Sequence, residues 1–71
     1  METITITTEF IRLQDLMKLA NMVSSGGEAK QLIQDGQVLV NGETCLQRGK
    51  KLRSGDTVTF KNRTYTTASA T

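Results

Sequence analysis

The chain contains no histidine, no proline and no tryptophan, and it has a single cysteine, Cys45. These absences exclude a zinc site built from cysteine and histidine, an intramolecular disulfide, a Ser-His-Asp triad and a Cys-His dyad. Asp15, Asp35 and Asp56 are scattered, so no pair is spaced for acid–base catalysis on one element. With no histidine to activate it, Cys45 is predicted to be a small core side chain. The sequence therefore predicts a protein that is not an enzyme and that holds neither a cofactor nor a metal.

The chain length and the lack of disulfides limit the possible folds and the possible cellular compartment. A chain of 71 residues buries about 60% of its unfolded surface and cannot be divided into two cores, so residues 1–71 are predicted to form one domain. Secreted domains below about 80 residues usually depend on two to four disulfides, which one cysteine cannot supply. Residues 1–8 lack the basic start and apolar run of a signal peptide. A cytoplasmic protein without membrane contact is therefore predicted.

The charge is unevenly distributed along the chain, although the formal net charge is only +2. Residues 1–35 hold three basic and five acidic side chains, whereas residues 36–71 hold six basic and two acidic ones. A basic half of this kind favours a polyanionic partner, but solvated lysines in loops would give the same distribution. Charge alone leaves both interpretations open.

The N-terminal third is predicted to form a strand and then a helix. Residues 2–8 alternate so that Ile4 and Ile6 share one face, which is typical of a half-buried strand at the edge or end of a sheet. Apolar side chains then recur at helical spacing, at Leu13, Leu16, Met17 and Ala20. This helix is predicted to begin near residue 12 and to run for about ten residues, although Arg12 is not a good N-cap.

Turn signals divide the rest of the chain. Ser25 and Glu28 have the spacing of a capping box that begins a second helix of about ten residues, and Gly36 stands where a left-handed C-cap is needed. Asn41-Gly42 predicts a hairpin, and Lys61-Asn62 predicts another tight turn between two strands. The residues from 68 onwards are predicted to fray. This order of elements predicts an α+β fold with two helices on a small antiparallel sheet of four to five strands.

Residues 47–56, here called the basic loop, are predicted to form an ordered, exposed loop anchored by Leu52, their one large apolar residue. The loop holds four cations within six residues: Arg48, Lys50, Lys51 and Arg53. Cations on a rigid loop can neutralise phosphates and release counterions, which is the main sequence-independent source of nucleic-acid affinity. The alternative is a solvated loop that keeps the protein soluble.

The start of the second helix is another candidate anion site. Ser25, Gly26 and Gly27 lie where unpaired backbone N–H groups and the helix dipole attract an anion, and glycine lets a phosphate approach closely. Helix capping alone explains Ser25, so phosphate contact and a purely structural role both stay open. Weaker candidates on the helices are Arg12, Lys18 and Lys30.

Four segments carry a recognisable pattern, at residues 12–16, 23–33, 36–43 and 48–58. The pattern is a helix, a Ser-x-x-Glu-Ala helix, a Gly-x-Val-x-Val-Asn-Gly hairpin and a Gly-Asp strand. This order covers a motif core of about residues 10–60 and is specific in combination. It resembles the RNA-binding domain named after small-subunit ribosomal protein S-four, and above all its small stand-alone bacterial members, in which Ser-Gly-Gly and Arg-Gly-Lys-Lys occur.

The resemblance implies an alpha-L motif, in which two antiparallel helices pack on a small sheet and RNA lies across the helix pair and the hairpin. It carries RNA contact over by position to Arg12, Ser25, Lys30 and Asn41, with residues 48–53 as the small members' own basic element. A role of Asn41 in its turn alone stays open. Many members of the wider family have arginine in place of Gly26 and a basic residue in place of Glu43, so those two phosphate contacts are not carried over.

The sequence therefore predicts a monomeric RNA-binding protein for structured ribosomal or transfer RNA, acting in ribosome assembly or quality control. Phe10 and Phe60 are predicted to lie in the core, which leaves little aromatic surface for stacking single-stranded bases, so shape is expected to dominate recognition. A rival hypothesis is a protein-interaction adaptor that docks an acidic partner through the basic loop or a sheet edge.

Overall fold

A computed structural model describes residues 2–70 and places two helices and seven strands in them. In chain order these are β1 (Glu2–Ile6), β2 (Ile11–Arg12), α1 (Leu13–Leu19), α2 (Gly26–Gln34), β3 (Leu39–Val40), β4 (Glu43–Thr44), β5 (Lys51–Leu52), β6 (Thr57–Phe60) and β7 (Arg63–Ser69). The predicted α+β class is confirmed.

Five strands form the main sheet in the order β1-β7-β6-β3-β4, which agrees with the predicted strand number and places β1 at an edge, as predicted. The pairs among β3, β4, β6 and β7 are antiparallel. β1 instead runs parallel to β7, from Glu2 opposite Tyr65 to Ile6 opposite Ser69, so the sheet is mixed where antiparallel pairing is expected from the sequence. A parallel pair needs a long crossover connection, which here contains both helices.

A second, two-stranded sheet pairs β2 with β5, with Ile11 opposite Leu52 and Arg12 opposite Lys51. The basic loop thus contains a strand, which corrects the prediction of a loop alone. Leu52 is fully buried, as predicted, and anchors β5 in the core. The cations and glycines around Leu52 conceal this strand in the sequence, because its pairing depends on a partner far back in the chain.

The helices begin and end largely where capping signals place them. α1 has seven residues, fewer than the predicted ten, and it ends at Leu19, just before Asn21 turns left-handed with φ 59°. α2 has nine residues, and both predicted caps are confirmed. The Glu28 N–H donates to Ser25 Oγ at 3.2 Å, and Gly36 has φ 75°.

Both predicted hairpin turns are confirmed. Asn41 and Gly42 have φ values of 52° and 85°, and Lys61 and Asn62 have values of 51° and 64°. Positive φ at both central residues gives a turn whose twist matches that of the flanking strands. These turns connect β3 to β4 and β6 to β7.

The hydrophobic core joins both helices to the sheets. Its buried members are Leu13, Leu16, Met17, Val23, Ala29, Ile33, Val38, Val40, Leu52, Val58 and Phe60. Cys45 packs partly buried against this core, in line with its predicted packing role. The core assignment is confirmed for Phe60 but wrong for Phe10, which is half-buried and has Lys51 Nζ 4.8 Å from its ring centre.

The C-terminal residues are held by the parallel pairing of β1 with β7. Ala68 and Ser69 lie opposite Thr5 and Ile6, and the Ala70 N–H donates to the Ile6 carbonyl oxygen at 2.9 Å. The predicted fraying is therefore wrong for residues 68–70, because the sequence pattern does not reveal this long-range pair. Residues 1 and 71, the ends of the predicted domain, lie outside the described residues.

Candidate nucleic-acid interface

The cations of the basic loop are all exposed, as is the neighbouring Arg12. Within residues 2–70, ion pairs form only between Lys18 and Asp15, at 3.5 Å, and between Arg63 and Glu2, at 3.2 Å. No carboxylate among these residues therefore forms an ion pair with a cation of the loop. A group of unpaired exposed cations creates a positive potential that attracts anions.

The backbone of the basic loop caps the N-terminus of α1. The Leu13 N–H donates to the Lys50 carbonyl oxygen at 2.9 Å, and the Gln14 N–H donates to the Arg48 carbonyl oxygen at 3.0 Å. The first N–H groups of a helix have no partner within the helix, and Arg12 at the N-cap makes no side-chain cap hydrogen bond. The loop carbonyls thus explain a helix start that the sequence marks poorly, and they hold the loop against one end of α1.

Arg12 and Lys51 lie directly opposite each other in the antiparallel pair of β2 and β5. Opposed residues in such a pair project to the same face, where like charges destabilise the sheet. Neither side chain forms an ion pair with a carboxylate of residues 2–70. An anion bound between them would relieve the repulsion, so this pair is suited to an anionic ligand.

Asn41 fastens the other end of the basic loop to the β3–β4 turn. Its Nδ2 donates to Asp56 Oδ1 at 3.1 Å, and its Oδ1 accepts from the Thr57 N–H at 3.0 Å. Asp56 Oδ2 in turn accepts from the Arg53 N–H at 2.7 Å. Asn41 therefore has a structural role in the turn and the loop, whereas its contact with RNA stays a prediction.

The start of α2 is capped from within the chain. Glu28 Oε1 accepts from the Ser24 N–H at 2.8 Å, one residue earlier than a standard capping box requires. A Cβ at Gly26 would meet nothing within 4 Å, and a Cβ at Gly27 would meet only Ser25 Oγ, at 3.9 Å. Packing within the fold thus does not require either glycine, and the surface beside them is open to an external group.

The structure brings the following candidates together around the start of α1 and the β3–β4 turn: Arg12, Asn41, Arg48, Lys50, Lys51 and Arg53. The remaining candidates lie on or beside the helices: Lys18 on α1, and Ser25, Gly26, Gly27 and Lys30 at α2. No hydrogen bond or ion pair among residues 2–70 links this second group to the basic loop. Lys18 already pairs with Asp15, so part of its charge is compensated.

A groove of about 420 Å³ lies between the β3–β4 hairpin and the basic loop. Sequence reasoning missed its lining residues Glu43, Leu46 and Gln47 as candidates for a site. Leu46 is 62% exposed. A lone apolar residue between a strand and a cationic loop is the sequence signal that could have revealed the groove.

The opposite hairpin, the β6–β7 turn, carries two further cations beside a smaller cleft of about 160 Å³. Lys61 Nζ lies 5.3 Å from the ring centre of Phe60, and Arg63 lies 5.8 Å from that of Tyr65. Arg63 also pairs with Glu2 at 3.2 Å. These cations therefore have partners within the fold.

Other kinds of site find no support in the described part of the chain. No helix in residues 2–70 has the length and apolar character needed to span a bilayer. In the same range, no three His, Cys, Asp or Glu side chains are grouped to hold a metal ion. Cys45 is half-buried, with Sγ 3.6 Å from the Gln47 carbonyl oxygen.

Comparison with known proteins identifies relatives over most of the chain. The probable ribosome maturation protein RlbA of Bacillus subtilis (strain 168) is 47% identical over 55 residues, which are 78% of this chain and 78% of RlbA. The putative RNA-binding protein YbcJ of Escherichia coli (strain K12) is 40% identical over 50 residues, 70% of this chain and 71% of YbcJ. The solution structure of E. coli YbcJ, described as revealing an alpha-L motif involved in RNA binding, is similar with a TM-score of 0.72 and 32% identity, over 96% of this chain and 87% of that one.

The sequence profile of the S4 domain matches residues 4–68. This range includes both helices, the basic loop and nearly all of the main sheet. The similarity to YbcJ in three dimensions agrees with the same fold. The resemblance predicted from the sequence is thus confirmed, and the chain belongs to the S4 domain family.

Proposed function

We propose that this chain is a non-enzymatic protein that binds structured RNA, and that the RNA is ribosomal RNA encountered during ribosome maturation in the cytoplasm. The observation that carries the proposal is a group of exposed cations around the start of α1 that form no ion pair with a carboxylate of residues 2–70. They are Arg12, Arg48, Lys50, Lys51 and Arg53. Their clustering favours a polyanion over a small anion.

A phosphate backbone suits this charge arrangement. Lysine and arginine side chains that neutralise phosphates release condensed counterions, which supplies affinity that falls as the salt concentration rises. The loop backbone is already fixed by its bonds to Leu13 and Gln14 and by the Asn41–Asp56 contact. Ordering of the loop backbone on binding should therefore cost little, which favours a ligand of matching shape.

The aromatic side chains support a folded RNA rather than a single strand. Phe60 and Tyr65 are buried, with 6% and 4% exposure, and Phe10 is half-buried beneath Lys51. Single-strand binders stack successive bases on exposed aromatic platforms, and residues 2–70 present no row of exposed rings. Cations fixed on a rigid surface instead suit phosphates that are already held in place by RNA structure.

The relatives support the ribosomal part of the proposal. RlbA is a probable ribosome maturation protein, and the YbcJ structure is associated with RNA binding. We extend both properties to this chain and propose that it acts as a single-domain monomer, with ribosomal RNA favoured over transfer RNA. None of the relatives supports the rival in which the basic loop docks an acidic protein.

Fluorescence anisotropy at one salt concentration tests the proposal. The two probes are a folded ribosomal RNA fragment and an unstructured oligomer of equal length. We expect tighter binding to the folded fragment, and weaker binding when Lys50, Lys51 and Arg53 are all replaced by alanine. Equal affinity for both RNAs would reduce the chain to a general polyanion binder, and a preference for the unstructured strand would contradict the proposal.

A further inference from the structure

The groove between the β3–β4 hairpin and the basic loop has the size and lining of a site for one planar ring. Its volume of about 420 Å³ lies within the range of small-ligand sites, roughly 300–1,000 Å³. Apolar surface from Val40, Cys45 and Leu46 meets polar side chains from both the hairpin and the loop. A base has the same combination of an apolar face and a polar edge.

Leu46 leaves most of its apolar surface uncovered by the fold, since it is 62% exposed. Single exposed leucines are common on protein surfaces. This one differs because it lines a groove whose lining also includes Lys50, one of the unpaired cations. A ligand in the groove could therefore cover Leu46 with a ring while its phosphate lies near Lys50.

The negative charge of Glu43 is unfavourable in a surface that binds only phosphates. Its carboxylate is exposed, and within residues 2–70 it forms neither an ion pair nor a side-chain hydrogen bond. A negative charge in the lining of the groove repels phosphate, so it opposes the effect of Lys50. The same carboxylate has both oxygens available to accept hydrogen bonds.

We propose that this groove binds one unpaired guanine of the RNA, with Glu43 accepting hydrogen bonds from the Watson–Crick edge of the base and Leu46 packing against its ring. The inference rests on the proposed RNA binding and adds base recognition to it. Phosphate contacts by the basic loop position the RNA, whereas contacts to a base edge specify it.

Guanine is the base whose edge matches a carboxylate. Its Watson–Crick edge has two adjacent donors, N1–H and the N2 amino group, which can bond to the two oxygens of one carboxylate. Adenine and cytosine place an acceptor beside their single amino group, and uracil has one donor between two carbonyl oxygens. An ionised carboxylate only accepts hydrogen bonds, so these acceptors would face the carboxylate unfavourably.

The experiment uses an RNA hairpin whose uridine loop carries one guanine, and matched hairpins with inosine, adenine or cytosine at that position. Inosine lacks the N2 amino group but keeps N1–H, so it removes a single donor. Anisotropy is measured at one salt concentration with the unsubstituted protein and with Glu43→Ala, which leaves no side-chain group to bond to the base. Glu9→Ala is the control, because Glu9 is exposed and lies outside the groove, and its replacement removes the same charge.

We expect the unsubstituted protein to bind the guanine hairpin about fivefold more tightly than the adenine hairpin, with inosine between them. The groove is open, so the discrimination given by one bidentate contact should lie at the lower end of the range for contacts to base edges. Glu43→Ala should bind the guanine hairpin more weakly, because the contact to the base edge is lost, and the adenine and cytosine hairpins slightly more tightly, because a negative charge is lost. The preference for guanine should therefore disappear. Glu9→Ala should keep the preference. Unchanged thermal melting of Glu43→Ala would separate this result from damage to the fold.

Equal affinity of the full chain for all four hairpins would overturn the inference and leave the proposed RNA binding in place. A guanine preference that survives in Glu43→Ala would also overturn it, because the carboxylate would then have no part in base recognition. Failure to bind any of the hairpins or the folded ribosomal fragment would overturn the proposed function together with the inference.

Discussion

The basic loop and the β6–β7 turn both present cations, but only the turn pairs one of its cations with a carboxylate of residues 2–70. At the turn, Arg63 pairs with Glu2 at 3.2 Å, and Lys61 lies 5.3 Å from the ring centre of Phe60. In the loop, Lys51 alone lies over a ring, and Arg12 opposite it adds a second positive charge at the same place. The comparison teaches that the number of cations does not identify an interface, whereas a cluster of cations without carboxylate partners does.

The largest expected effect comes from matched double variants of the two regions. Lys50→Ala with Lys51→Ala removes two charges from the loop, and Lys61→Ala with Arg63→Ala removes two charges from the turn. Each lost phosphate contact lowers the slope of log affinity against log salt by about 1, so the loop variant should lower it by about 2. The turn variant should lower it by less than half as much, measured by anisotropy on the folded RNA over a salt series.

Loss of net charge is identical in the two variants, so each serves as the control for the other. Circular dichroism melts check that both remain folded, since Arg63→Ala also removes the contact with Glu2. Equal reductions in the salt slope would mean that both regions contact RNA, and the distinction between them would fail.

A smaller effect is expected where Arg12 faces Lys51. Arg12→Gln removes the like-charge pair and should stabilise the free protein by roughly 0.2–1 kcal/mol while weakening RNA binding. Arg12→Thr should stabilise it by about 1 kcal/mol more, because the extended backbone of the N-cap would let a hydroxyl accept from the Asp15 N–H, whereas the Leu13 and Gln14 N–H groups already bond to the loop. Urea unfolding of the free protein measures both changes.

Arg12→Gln should therefore raise the stability of the free protein and lower its RNA affinity. This combination is expected where repulsion between two cations is relieved by a bound anion. If Arg12→Gln lowers stability instead, the guanidinium supports the fold and the repulsion between the strands is negligible. If it leaves RNA affinity unchanged, Arg12 lies outside the interface, and the basic loop acts without it.

Local signals in the sequence predicted the local parts of the fold. The Asn41-Gly42 turn, the Ser25 cap and the left-handed Gly36 each depend on a few neighbouring residues, so their chemistry can be recognised in the sequence. The parallel pairing of β1 with β7 and the short strand β5 could not be predicted in the same way. Both depend on partners far away in the chain, and a two-residue strand has no periodicity to detect.

The features of the candidate site also differ in whether single residues reveal them. The cations of the basic loop are visible in the sequence because charge is a property of single residues. The capping of α1 by the carbonyl oxygens of Arg48 and Lys50 is invisible there, since a backbone acceptor has no residue signature. The groove lined by Glu43 and Leu46 was also missed, because it exists only once the hairpin and the loop are packed together.

The smallest expected effect concerns the β6–β7 turn region, where Tyr65 lies opposite Glu2 in the pairing of β1 with β7. Burial raises the pKa of the Tyr65 phenol above its ordinary value of 10.0, and interaction with Glu2 raises it further, whereas the charge of Arg63 lowers it. A phenol with a higher pKa in the folded state contributes stability that is complete below pH 10 and is lost as the pH rises through the folded value. The free energy of unfolding in urea should therefore fall above pH 10 more steeply in the full chain than in Tyr65→Phe. If the free energy of unfolding falls equally steeply in the unsubstituted protein and in Tyr65→Phe, the Tyr65 hydroxyl does not contribute to this pH dependence.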